Sequence, residues 1–351
     1  MDATQSLYSD PKAINLYSDT QTRPTAEMRK VMAEAEVGDE QHFADPTTMA
    51  LEQRVAELLG HESGIFLPSG TMANQIAIRL NTEPSGDAVL LDSTSHILNW
   101  EAGAPAVLSG VIVQALDGND GTFTADQLAA ALNAPQTRYT PRHRLVCIEQ
   151  TANRGGGRVW PLHQIEEVAA IARGRGLRLH LDGARLLNAS IAANVHPASY
   201  CQHFDTAWID LSKGLGAPVG AVLVGSRELV NNAWRFKQMW GGAMRQSGIL
   251  AAAGLYALDR HVDRLAIDHA NAALLARGLA EIGGVQIDPE RVETNIVYFH
   301  VADPRDFVRR LAARGILMGV AADGRVRAVT HLDVTRPDID SALEAVAEVM
   351  A

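Results

Sequence analysis

Cysteine and lysine are the scarce residues of this 351-residue sequence, with two of the first and four of the second. Cys147 and Cys201 have no CxxC companion, which excludes a zinc cluster and a disulfide framework and fits a reducing, cytoplasmic setting. No apolar run approaches the roughly 18 residues that cross a bilayer, and the opening MDATQSLYSDPK lacks the basic-then-apolar order of a leader. Positive charge is in deficit: 31 Lys and Arg stand against 41 Asp and Glu, a formal net charge of −10. That field opposes a nonspecific grip on nucleic acid or on an anionic membrane. No G-x-x-x-x-G-K-[ST] loop occurs, no G-x-G-x-x-G follows an early strand, and no H-E-x-x-H pair points to a metal. Small-molecule chemistry is the class left standing.

What is present reads as a globular α/β chain. A length of 351 residues allows about two domains. Up to about residue 225, short apolar runs alternate with helical stretches, which predicts a mostly parallel sheet with helical crossovers. Strands are predicted at 65–67, 88–91, 111–113, 145–148, 177–181, 206–209 and 221–224. Asp45-Pro46, the apolar spacing of Leu51, Val55, Leu58 and Leu59, and Gly60 predict a capped helix over 46–59. Long Ala- and Leu-rich stretches at 247–258 and 263–281 change the texture. A boundary near 260 then divides a large domain, 1–260 with its N-terminal segment, from a smaller α/β domain, 261–351. In the latter, strands are predicted near 295–300 and 325–329, helices near 305–314 and 339–349, and a hairpin turn at Ala322-Asp323-Gly324.

Three segments could carry chemistry. Pro68-Ser69-Gly70-Thr71 lies between a strand and a helix, so its amides could cradle a phosphate; plain helix capping is the bland alternative. Asp182 falls at the carboxyl end of the strand Leu177–Leu181, where open parallel sheets bind ligands, although an Asp there can also simply cap the next helix. Lys213 follows another strand within Leu211-Ser212-Lys213-Gly214-Leu215-Gly216-Ala217-Pro218. Among apolar neighbours its amine would lose hydration and become a usable nucleophile; the alternative is an exposed loop lysine. An anion cradle, a carboxylate and a reactive amine are together what a pyridoxal 5′-phosphate site needs: one for the phosphate, one for the pyridine nitrogen, one for the Schiff base.

The sequence at this point resembles the low-specificity threonine aldolases among the fold-type-I pyridoxal phosphate enzymes. The resemblance rests on Ser18-Asp19-Thr20-Gln21-Thr22-Arg23-Pro24, Val37-Gly38-Asp39 with Asp45-Pro46-Thr47, Pro68-Ser69-Gly70-Thr71, and His96 with Glu101-Ala102-Gly103. It continues through His180-Leu181-Asp182-Gly183-Ala184-Arg185, the Lys213 segment, Gly242-Ala243-Met244-Arg245-Gln246-Ser247-Gly248 and Val326-Arg327-Ala328-Val329-Thr330-His331-Leu332-Asp333. It implies a three-layer α/β sandwich plus a small C-terminal domain, with Lys213 holding the cofactor, Asp182 on the pyridine nitrogen and Gly70 and Thr71 on the phosphate. His96 would stack on the ring and serve as base or water-positioner. Ser18, Arg185 and Arg327 would grip the substrate carboxylate, Arg185 being counted with the cofactor contacts as well. Arg245 would reach a neighbouring subunit's phosphate, so the partner expected is a second copy of the chain, in a homotetramer.

The implied reaction is retro-aldol cleavage of an L-β-hydroxy-α-amino acid to glycine and an aldehyde. Another lyase, transaldolase or aminotransferase activity on the same cofactor is the alternative. Two departures bear on the substrate. Glu149-Gln150-Thr151-Ala152-Asn153 has Ala152 where the family usually has histidine, and His42 stands where it commonly has tyrosine. Both residues are expected at the pocket that takes the substrate's side chain. Ala152 would give room for larger substituents, whereas Arg154 or His42 pointing inward would favour a second carboxylate.

Overall fold

The computed structural model describes residues 12–84 and 86–351; the segment read for a leader, 1–11, lies outside them. Twelve strands are described: β1 (Ile14–Asn15), β2 (Ser63–Leu67), β3 (Ala88–Asp92), β4 (Ile112–Leu116), β5 (His143–Glu149), β6 (Arg178–Asp182), β7 (Thr206–Asp210), β8 (Ala221–Gly225), β9 (Ile296–Phe299), β10 (Ile316–Leu317), β11 (Gly319–Val320) and β12 (Val326–Val329). β2 to β8 form one sheet in the order β2-β8-β7-β6-β5-β3-β4. Only β8 runs against the others, because the loop after β7 turns straight back without a crossover helix. The parallel strands β3, β5 and β6 are buried almost throughout; β3 and β5 carry apolar runs, as sheets covered on both faces do, whereas β6 alternates Leu179 and Leu181 with the buried polar residues His180 and Asp182. The expected three-layer α/β arrangement is therefore the one found.

Local chemistry sets the helix ends. Asp45 caps the helix Pro46–Leu59, its Oδ1 accepting the Thr48 amide at 2.9 Å. Its Oδ2 accepts the amides of Gly38 and Gly248, at 3.1 and 3.0 Å, so one carboxylate ties three segments together. Gly60 ends that helix at φ +71°, a left-handed turn that glycine adopts without penalty. Leu51, Val55 and Leu59 are fully buried on its inner face, each worth about 2 kcal/mol of burial.

The C-terminal sheet is β11-β12-β9, antiparallel, and the turn at Ala322-Asp323-Gly324 joins β11 to β12 as a hairpin. β1 pairs in parallel with β10, Ile14 opposite Ile316, and Leu16 belongs to the apolar core of this smaller unit. The Val329 amide donates to the Leu16 carbonyl at 2.8 Å. Ser18 and Arg327 are thus carried on one small framework that leans over the carboxyl edge of the large sheet.

Candidate active site

The carboxyl ends of β2, β5, β6 and β7 open on a cavity of about 570 Å³ lined by Ser18, Gly70, Thr71, His96, Asp182, Arg185, Lys213 and Arg327, with further residues from the small unit. Gly70 and Thr71 begin the helix Gly70–Asn81, whose cap Ser69 accepts the Met72 amide at 3.2 Å. The first amides of a helix have no intrahelical acceptor, so those of Gly70 and Thr71 are available to an anion. Gly70 is required by packing: a Cβ there would lie 2.1 Å from the Trp208 ring.

Asp182 ends β6, only 2% exposed. Its Oδ2 accepts from Asn74 Nδ2 at 2.8 Å and its Oδ1 from the Ala184 amide at 3.1 Å. Asn74 gives its other amide hydrogen to Glu101 at 2.7 Å, so its carbonyl must accept, and it does so from Trp208 Nε1 at 2.7 Å and His180 Nε2 at 3.0 Å. That fixes the proton of His180 on Nε2, leaving Nδ1 to accept from Thr206 Oγ1 at 2.9 Å. Burial holds His180 down at about 4, so it stays neutral. A buried chain from Thr206 to Asp182 therefore orients the carboxylate from below.

His96 lies at the side of the cavity with Nδ1 2.9 Å from Glu101 Oε1. Burial disfavours its charge, but the hydrogen bond to Glu101 and the negative charges of Asp182, Glu101 and Glu149 outweigh it and raise its pKa. Lys213 sits in the loop between β7 and β8, its Nζ 3.0 Å from Asp210 Oδ2 and 5.8 Å from the Trp208 ring centre. Arg185 is buried against Asp19 in a two-toothed pair, Nε to Oδ2 at 2.7 Å and an Nη2 bond to Oδ1 at 2.6 Å. Burial alone would raise the Asp19 pKa, but the Arg185 guanidinium holds it far below the carboxylate range. Arg327 donates to the Tyr17 carbonyl at 3.2 Å and to Asn153 Oδ1 at 2.9 Å, and its buried Nε has no partner. Burial and the neighbouring Arg185 cation lower its pKa. With Arg185 already paired to Asp19, Arg327 is the guanidinium of the two whose buried charge is only partly compensated.

Three expected site residues lie elsewhere in the chain. His42 is exposed, its Nδ1 3.0 Å from Asp39 Oδ2, and does not line the cavity; the short turn Glu40–His42 directs it outward. Arg245 donates to the same Asp39 oxygen at 3.0 Å, is 61% exposed and is likewise outside its own chain's cavity. Ala152 is buried but does not line the cavity. Its amide is held by the Arg158 carbonyl, and its methyl packs against Gly121. Asn153 and Arg154 form that wall instead.

Glu149 lines the cavity and was given no role by the sequence, though it ends β5 as Asp182 ends β6. Its two oxygens accept the amides of His96, at 2.6 Å, and Asn153, at 2.9 Å. Burial, and then the charge of Asp182, push its pKa up to about 7. Asn74, Asp19 and Asp210 were also given no role; each lies within hydrogen-bonding reach of a residue that the sequence did single out.

A model of the beta-eliminating lyase family matches residues 15–303. Low specificity L-threonine aldolase of Escherichia coli K12 is 41% identical over 329 residues, covering 93% of this chain and 96% of that protein. Low-specificity L-threonine aldolase 1 of Arabidopsis thaliana is 37% identical over 346 residues, covering 97% of each. The solved structure of Leishmania major threonine aldolase, 21% identical, superposes with a TM-score of 0.84 over 96% of this chain and all of that one, a likeness of fold. The chain belongs to the beta-eliminating lyase family, among the low-specificity L-threonine aldolases.

Proposed function

We propose that the cavity holds pyridoxal 5′-phosphate and that the enzyme cleaves L-β-hydroxy-α-amino acids to glycine and an aldehyde. The observation that carries this reading is the meeting of Lys213, Asp182 and the open amides of Gly70 and Thr71 around one cavity. These residues fit the cofactor: the close approach of Gly70 to Trp208 leaves the helix end bare for a phosphate, and Asp182 waits at the floor. When bound, the cofactor supplies a sink for the electron pair left on Cα as the Cα–Cβ bond breaks.

Lys213 provides the amine that attaches the cofactor, and Asp182 keeps a proton on the ring nitrogen. Asn74 and the Ala184 amide hold that carboxylate in position. Ser18, Arg185 and Arg327 take the substrate carboxylate. Charge-assisted hydrogen bonds of this kind are worth roughly 2 kcal/mol each, and the anion supplies Arg327 with the carboxylate that Arg185 already has in Asp19. His96 would lie against the bound cofactor and be the group that receives the β-hydroxyl proton. Its Nδ1 is committed to Glu101, which leaves Nε2 for the substrate, and its raised proton affinity suits a base.

Arg245, exposed and turned from its own cavity, serves the phosphate in a second copy of the chain. The reading extends to a homotetramer, a cytoplasmic location and a division into domains near residue 260. Purified enzyme given L-threonine should form glycine and acetaldehyde in equal amounts. Keto acid or ammonia in their place would replace the retro-aldol reading with an aminotransferase or an eliminating lyase.

A further inference from the structure

Among the described residues, two guanidiniums in the cavity lack a carboxylate of their own. Arg185 is neutralised by Asp19, Lys213 by Asp210 and His96 by Glu101. Arg327 has only the Tyr17 carbonyl and the Asn153 amide oxygen. Arg154, half-buried in the same wall, makes no side-chain hydrogen bond or ion pair among the described residues. A substrate with a single carboxylate accounts for Arg327 and leaves Arg154 over. Asp323 feels the charge of Arg154, but its carboxylate is already committed to Arg325 at 3.0 and 2.8 Å.

The backbone under Arg154 is held in place. Its carbonyl accepts from Arg325 at 3.1 Å, and Arg325 is stacked on Tyr298, another lining residue, at 4.1 Å. Gly155 packs so closely that a Cβ would meet the Asp120 carbonyl at 1.8 Å, and Thr294 Oγ1 donates to the Gly157 carbonyl at 2.8 Å. Asn153, the preceding residue, touches Arg327 directly, so Arg154 stands one residue from the carboxylate grip. Val320, Ala321 and Ala322 add no charge to that end of the cavity.

We infer that Arg154 is a second anion site, and that the enzyme takes β-hydroxy-α-amino dicarboxylic acids whose distal carboxylate pairs with it. This rests on the retro-aldol reading above. For β-hydroxyaspartate the hydroxyl proton passes to a base, the Cα–Cβ electrons stay on Cα, and Cα is then protonated. The products are glycine and glyoxylate, with no other reactant consumed.

The test uses the holoenzyme with L-threonine and both diastereomers of L-β-hydroxyaspartate, and with L-aspartate and L-alanine as unreactive ligands in calorimetry. A guanidinium–carboxylate pair implies a kcat/KM ratio of dicarboxylate to threonine that falls about 30-fold in Arg154→Gln and by less in Arg154→Lys. L-Aspartate should bind the parent about 10-fold more tightly than L-alanine, and Arg154→Gln should erase that difference. Equal binding of the two amino acids by the parent, or a difference that survives Arg154→Gln, overturns the inference. If neither substrate is cleaved the retro-aldol reading falls, and the calorimetry still decides the role of Arg154.

Discussion

Glu149 and Asp182 are direct partners in the parallel register of β5 and β6, which sets two carboxyl groups side by side at the cavity floor. The folded protein keeps a proton on Glu149 up to about pH 7, whereas an unfolded chain releases it near the ordinary value of 4.5. Glu149 therefore costs no stability below about pH 4.5, costs progressively more as pH rises through that window, and costs its full amount above about 7. Glu149→Gln removes this dependence. Melting temperatures measured from about pH 5 to 8 should move in the variant's favour as pH rises, and parallel curves would show that Glu149 is ionised in the fold throughout.

Asn74 satisfies four buried groups at once. Asn74→Leu leaves Asp182, Glu101, Trp208 and His180 short of a partner, and an orphaned buried polar group costs about 1–3 kcal/mol. Denaturant unfolding should show a loss of roughly 3 kcal/mol or more. A loss under about 1 kcal/mol would mean that water replaces Asn74 without penalty and that the network orients nothing.

Lys213 is one of only four lysines, so borohydride reduction followed by peptide mapping is decisive. The cofactor label should fall on Lys213, and Lys213→Ala should abolish turnover. A label on Lys12, Lys30 or Lys237 would remove Lys213 from its role.

If Arg245 completes a neighbour's site, two inactive variants should repair each other. Mixed subunits of Lys213→Ala and Arg245→Ala, dissociated and reassembled, contain one intact site per hybrid dimer and should recover about a quarter of parental activity. No recovery, with mixed dimers demonstrated by mass spectrometry, would place Arg245 outside the shared site.

The fold was largely legible because its signals are local. Buried parallel strands such as Leu145–Ile148 announce themselves as apolar runs, and the cap at Asp45 with Gly60 brackets its helix. The meeting of Gly70, Asp182 and Lys213 around one cavity was legible for the same reason: each sits at or just past the end of a strand, where chain direction alone places a ligand. Asn74 and Asp19 were not, since their role is to hold another residue through contacts remote in sequence. Asn74 meets Asp182 across 108 residues and Asp19 meets Arg185 across 166. Ala152 was expected at the pocket on the strength of the family's histidine, and it does not line the cavity. The bridge to Arg158, a product of the Gly-rich turn, decides where its methyl goes.

The pairing of β1 with β10 gives the site an order of completion during synthesis. Gly70, Asp182 and Lys213 all emerge before residue 214, whereas Arg327 joins them by docking beside Tyr17, 310 positions away. On the reading proposed above, the residues before 214 supply the chain's own cofactor contacts together with Ser18 and Arg185, and only the third member of the carboxylate grip, Arg327, comes later. On that reading the carboxylate grip is complete only in copies whose C-terminal strands have docked against the N-terminal segment.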